Sequence, residues 1–142
     1  RILSKITKNF IIVTNQSGVS RGIIKKDDLI EINNFISREF LSQNIPLLKI
    51  YYCTDHPNDA SINRKPSVGM FLNASKDYDI DLSNCLMIGD SFTDMEPAFK
   101  LNMDCMLLMT GNGKIHKKYF VNDFSPTFFA NNILNGARLL VK

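Results

Sequence analysis

Asn84-Cys85-Leu86-Met87-Ile88-Gly89-Asp90-Ser91-Phe92-Thr93-Asp94 runs an apolar segment straight into two carboxylates four residues apart. The run at 84–88 reads as a buried strand, and the helical pattern resumes at once over 92–101. Asp90 therefore stands at a strand end and Asp94 at the start of the next helix. Two other stretches share that placement. Phe10-Ile11-Ile12-Val13 leads into Thr14-Asn15-Gln16-Ser17-Gly18, and Leu48-Lys49-Ile50-Tyr51-Tyr52-Cys53 is followed by an irregular polar loop and Arg64-Lys65-Pro66.

Working outward, apolar residues repeat at helical spacing over 26–42, and Pro46 stops that helix. Pro66 suits the first turn of a helix reaching residue 78. A fourth strand is expected at 105–109. Ser125-Pro126 opens a last helix with Phe128, Phe129, Ile133, Leu134, Leu139 and Leu140 on its apolar side. Ile2, Leu3 and Ile6 look like the tail of an amphipathic helix. Strands thus alternate with helices. They are continuous apolar runs rather than alternating ones, as in a parallel sheet covered on both faces. The expectation is one α/β domain over 1–142, with its ligand at the carboxyl ends of the strands.

Bulk properties narrow the function. The 142 residues are 44% hydrophobic and 22% charged, with a net charge of +3 from 17 basic and 14 acidic side chains. No run of Lys or Arg exceeds two, which argues against a nucleic-acid partner. No apolar run approaches the ~18 residues of a membrane span. Cys53, Cys85 and Cys105 are odd in number and widely spaced, and the last two fall in apolar runs. Buried, reduced thiols and a cytoplasmic location are expected.

The three strand-end motifs suit phosphate chemistry. Magnesium takes oxygen ligands and keeps several waters, so Asp90 and Asp94 suffice as its carboxylates. The Thr14 hydroxyl and the amides after it suit phosphoryl oxygens. Lys65, fixed between strand and helix, suits the charge of a phosphoryl group in transfer. Arg64 offers a bidentate grip and Arg21 a second cation for an anionic substrate. Each motif taken alone has a plainer reading: a helix cap, a turn, a pair of surface bases. Their joint occurrence at successive strand ends favours the site.

The ordered set Val-Thr-Asn-Gln-Ser-Gly-x-x-Arg-Gly, Tyr-Tyr-Cys-x-x-His-Pro, Arg-Lys-Pro-x-x-Gly-Met and Met-Ile-Gly-Asp-Ser-x-x-Asp-Met resembles the haloacid dehalogenase superfamily over about residues 10–109. The branch it resembles holds heptose-bisphosphate and histidinol-phosphate phosphatases. The resemblance implies a Rossmann-like fold and magnesium-dependent hydrolysis of a small phosphorylated metabolite. D-glycero-D-manno-heptose 1,7-bisphosphate is the first substrate to consider and histidinol phosphate the second. It implies that Thr14 and Lys65 steady the phosphoryl oxygens and that Asp90, with Asp94, holds the metal. It also implies that Asn15, Gln16, Ser17, Arg21 and Arg64 contact substrate.

Two departures accompany the resemblance. The family's aspartate nucleophile belongs on a strand before Phe10, yet no Asp or Glu precedes Asp27, so that strand is expected upstream of Arg1. Many relatives also bind a structural zinc before the Arg-Lys-Pro motif. Here Cys53 remains, but Asp55, Ser61 and Asn63 stand at the other ligand positions. No zinc is expected, and the loop should be shaped by hydrogen bonds or be mobile. A non-catalytic phosphate-binding homologue is the competing reading. A phosphate-accepting signalling receiver fits less well, since receivers place their acidic cluster on early strands.

Overall fold

A computed structural model describes residues 1–120 and 124–141. In chain order the elements are β1 (Phe10–Asn15), α1 (Lys26–Ser42), β2 (Leu47–Cys53), α2 (Gly69–Tyr78), β3 (Leu86–Gly89), α3 (Phe92–Lys100), β4 (Asp104–Leu108), α4 (Gly113–His116), β5 (Phe128–Ala130) and α5 (Ile133–Leu140). All strand pairings are parallel. β1 pairs with β2, Ile12 opposite Ile50, and β3-β4-β5 form a second group, Met87 opposite Cys105 and Leu107 opposite Phe129. The result is the expected α/β architecture of parallel sheet and covering helices.

The continuous apolar strands have their cause in this layering. On β4, Cys105 and Leu107 pack with Met95 and Ala98 of α3. Met106, pointing the other way, meets α5 so closely that a Cβ on Gly136 would strike its sulfur. All three strand residues are 1% exposed or less, so the middle of the strand has no place for a polar side chain, and the one it carries, Asp104, stands exposed at its start. The β1–β2 pair has its own cluster, in which Tyr51 and Cys53 pack on Met70 and Ala74 of α2, with Ile11 and Val13 alongside.

Four local expectations are corrected. The segment at 1–8 forms only a one-turn 3₁₀ helix, Leu3–Lys5; eight residues are too few to offset the cost of nucleating an α-helix on their own. The second helix starts at Gly69, because residues 64–68 form a turn closed by the Ser67 N–H donating to the Arg64 carbonyl at 2.8 Å. The third strand starts at Leu86. Before it, the Asp81 carboxylate accepts from the Ser83 amide and hydroxyl and from Asn84. That nucleates the 3₁₀ turn Leu82–Asn84 and leaves Cys85 half-buried outside the strand. Phe128 and Phe129 belong to the short strand β5, not to the last helix, which begins at Ile133 behind an Asn132 cap.

Candidate active site

The carboxyl ends of β1 and β3 face each other across a cleft of about 600 Å³. The two strands also lend it their inner edges, through Ile12, Val13, Met87 and Ile88, and neither edge has a strand partner among the described residues. Thr14, Lys65, Asp90 and Asp94 all line it. Motifs separated by up to 80 positions thus converge because each follows a parallel strand.

Lys65 is the centre of the arrangement and is only 7% exposed. Its Nζ donates to Asp94 Oδ1 at 2.6 Å and to the Val13 carbonyl at 2.6 Å. One lysine thereby ties β1 to α3 across the cleft, and its remaining N–H is left for an incoming anion. Its backbone is held as firmly. Asn15 Nδ2 donates to the Lys65 carbonyl at 2.9 Å, and the Lys65 N–H donates to Asn15 Oδ1 at 3.0 Å. The Asn15 amide, expected on substrate, gives one N–H and its oxygen to this clamp.

Asp94 is equally committed. Besides Lys65, its carboxylate accepts from the Asp90 amide at 3.2 Å, the Ser91 amide at 3.2 Å and the Ser91 hydroxyl at 2.9 Å. The Ser91 amide bond is half of a capping box, with Asp94 at the third helical position reaching back to the cap residue. A Cβ on Gly89 would collide with the Asp94 carboxylate, which is why the strand ends in glycine. The expectation that Asp94 ligates a metal meets a carboxylate that already accepts from four donors, three on Oδ2 and Lys65 on Oδ1.

Asp90 is different. Its Oδ2 accepts one long bond, from the Asn112 amide at 3.3 Å, and its Oδ1 accepts none among the described residues. A half-buried carboxylate at the cleft with an unused oxygen is the donor a hard cation needs, and magnesium requires no more than one or two. Magnesium therefore fits Asp90. No group of three or more His, Cys, Asp or Glu side chains suited to a metal occurs among the described residues.

Thr14 Oγ1 accepts from Gln16 Nε2 at 3.4 Å, so its own O–H is free to donate into the cleft. Gln16 thus serves the threonine. Ser17, Arg21 and Arg64 do not line the cleft. The Ser17 carbonyl accepts from Arg21 Nε at 3.3 Å, within an exposed turn. Arg64 Nη1 donates to the Asp55 carbonyl at 3.0 Å. The loop at 54–64 is shaped by hydrogen bonds: Asp55 Oδ2 accepts from the Ser61 amide at 2.9 Å and His56 Nδ1 from the Asn58 amide at 3.2 Å. The Ser61 contact holds the Asp55 carboxyl below the usual carboxylate range.

A fourth strand-end loop, after β4, joins the three expected from the sequence. Gly111 has φ +47°, and a Cβ there would run into Asp90 Oδ2. Only glycine lets the Thr110–Gly113 turn lie against that carboxylate. Asn112 and His116 then join the cleft wall. The signal was present in Thr110-Gly111-Asn112-Gly113, a turn-rich stretch directly after a strand.

Known proteins resemble the chain in the same terms. The HAD-hydrolase-like family profile matches residues 62–135, about half of the chain. The chain belongs to this family of haloacid dehalogenase-like hydrolases. D-glycero-alpha-D-manno-heptose-1,7-bisphosphate 7-phosphatase of Campylobacter jejuni is 33% identical over 111 residues, 77% of this chain and 63% of that protein. The histidine biosynthesis bifunctional protein HisB of Spirosoma linguale is 32% identical over 113 residues, 80% of this chain and 29% of its own length. The crystal structure of D,D-heptose 1,7-bisphosphate phosphatase from B. bronchiseptica, complexed with magnesium and phosphate, superposes with a TM-score of 0.86 at 26% identity, covering 98% of this chain and 77% of that one. The chain spans about three fifths of the length of the heptose-bisphosphate phosphatases it matches. The family places the chain among proteins with this Rossmann-like core, as the resemblance implied.

Proposed function

We propose that this chain is the greater part of a magnesium-dependent phosphatase acting on a small sugar phosphate, with D-glycero-D-manno-heptose 1,7-bisphosphate as the substrate. The observation that carries the proposal is the junction of Thr14, Lys65 and Asp90 in one cleft at the strand ends. Thr14 donates its hydroxyl to a phosphoryl oxygen. Lys65 donates its third N–H and neutralises developing charge in a site partly screened from water. Asp90 holds the magnesium, which when bound supplies positive charge to the phosphoryl oxygens. Asp94 and Asn15 are positioning residues, the one for the Lys65 ammonium and the other for its backbone.

The attacking carboxylate is assigned to a further strand that pairs with the free edges of both β1 and β3. Supporting this, both edges flank the cleft and carry no strand partner among the described residues. Ser17, Arg21 and Arg64 are assigned to the substrate's distal portion, outside the phosphoryl cleft. Three free cysteines suit a reducing, cytoplasmic setting, and no described helix is long and apolar enough to cross a membrane.

The test is steady-state hydrolysis by the full-length protein of heptose bisphosphate and histidinol phosphate, with magnesium and with a chelator. Turnover should favour the heptose substrate, vanish with chelator, and fall at least about a hundredfold in Asp90→Asn. Chelator-resistant turnover, or an unimpaired Asp90→Asn, refutes the site. Preference for histidinol phosphate refutes the substrate and leaves the chemistry standing. HisB-like similarity makes that second substrate the comparison of choice.

A further inference from the structure

His116 is the one imidazole on the cleft wall, and nothing in the phosphatase reading above uses it. It ends α4, reached through the glycine turn that leans on Asp90. Its Nδ1 accepts a hydrogen bond from the Phe92 amide at 3.0 Å. That amide is the first of α3, one of the N–H groups a helix start leaves unpaired. The ring is also held by Tyr119, with centroids 5.5 Å apart, and Tyr119 in turn meets the Phe92 ring edge-on at 6.3 Å.

The Phe92 bond decides the chemistry of the other nitrogen. A ring nitrogen that accepts from an amide carries no proton, so the proton sits on Nε2. An Nε2–H cannot ligate a cation; it can only donate. His116 is therefore unsuited to join Asp90 as a metal ligand and suited to an anion. Its orientation is fixed in advance by two partners, so little freedom is lost when a ligand docks. The cleft already gathers donors for an anion in Thr14 and Lys65.

We propose that His116 is a substrate-contacting residue of the cleft, pinned through Nδ1 by the Phe92 amide and donating its Nε2–H to an anionic oxygen of the bound phosphomonoester. This rests on the phosphatase reading and adds a fourth strand-end loop to the recognition of substrate. It separates two tasks within one ring: Nδ1 completes the start of α3, and Nε2 meets the ligand.

The two tasks separate in variants of the full-length protein. In His116→Asn, the amide oxygen takes the place of Nδ1 and keeps the bond to Phe92, but nothing replaces the distant Nε2–H. His116→Ala loses both. The probe is inorganic phosphate with magnesium, its dissociation constant measured by calorimetry beside KM and kcat for a sugar phosphate. His116→Asn should melt within a few degrees of wild type, yet bind phosphate roughly ten- to a hundredfold more weakly, the loss of one hydrogen bond to a charged group. His116→Ala should bind as weakly and melt lower. A folded His116→Asn that binds phosphate like wild type overturns the proposal.

A second measurement needs no variant. In ¹⁵N-resolved spectra of the wild-type imidazole, the proton should sit on Nε2, and its resonance should shift as phosphate is added. A proton on Nδ1, or an Nε2–H that phosphate leaves unmoved, overturns the assignment. Wild type that binds no phosphate at all refutes the phosphatase reading and this proposal with it. Wild type that binds phosphate with His116 unaffected refutes this proposal alone.

Discussion

Replacing Asp94 with alanine strips the partner from a buried ammonium. Lys65 is 7% exposed, and its pairing with Asp94 at 2.6 Å is its only ion pair among the described residues. Breaking such a pair from one side costs about 3–5 kcal/mol, since the other charge stays buried without compensation. The same truncation removes the acceptor of the Asp90 and Ser91 amides just before α3 and leaves the Ser91 hydroxyl only its 2.7 Å contact with the Thr93 hydroxyl. An unfolding entropy of about 2.1 cal/mol/K per residue gives roughly 0.3 kcal/mol per degree for a chain of this length, so Tm should fall by about 10–17 °C. The assay is thermal unfolding by circular dichroism of wild type, Asp94→Ala, Lys65→Met and the double variant. Removing the stranded charge as well should recover about half of the loss, because two apolar side chains replace an ion pair at little cost. A fall of under 3 °C in Asp94→Ala refutes the reasoning. So does a double variant no more stable than Asp94→Ala, since the penalty would then not be the uncompensated lysine.

Three further outcomes follow from the geometry. Gly111→Ala places a non-glycine residue at φ +47° with its Cβ against Asp90; a loss of about 1–3 kcal/mol in stability and weaker magnesium binding in a calorimetric titration are expected. Hydrogen bonds from Lys49 and then Tyr51 hold the Asp77 carboxyl below its usual 3.8, so the contact stabilises the fold above that value and its contribution is lost as pH falls through the lowered one. The Tm difference between wild type and Asp77→Asn should therefore shrink on going from neutral to strongly acidic solution, and a difference constant with pH contradicts the assignment. Burial raises the thiol pKa of Cys53, Cys85 and Cys105 alike, and Cys85 is the least enclosed. A thiol reagent at neutral pH should label Cys85 first, detected by peptide mass, and reach Cys53 and Cys105 only on unfolding.

What the sequence revealed of the fold depended on how much pattern each element had room for. Helix α1 was readable to both ends because 17 residues hold nearly five turns of periodicity. Strand β5 was not, because Phe128-Phe129-Ala130 is too short to show a period and its aromatic pair fits helical spacing to Ile133. Strand-end placement made Thr14, Lys65 and Asp90 legible. Their division of labour was not. Asn15 looks like a substrate ligand, and its hold on the Lys65 backbone is visible only in the fold. Asp94 looks like a metal ligand, and its four donors, which hold Lys65 and the start of α3, are visible only in the fold. Such pairings span up to 50 residues and leave no local trace. The Ser91–Asp94 capping contact is the exception, since Ser-x-x-Asp before a helix carries that signature in the sequence.

A phosphoryl group and magnesium are expected to share the cleft between the ends of β1 and β3. The most direct measurement is a crystal structure of the full-length protein with magnesium and tungstate as a phosphate mimic. A cation on Asp90 and an anion within hydrogen-bonding distance of Thr14 Oγ1 and Lys65 Nζ are the expected result. A cation held elsewhere, or an anion that bypasses both Thr14 and Lys65, contradicts it.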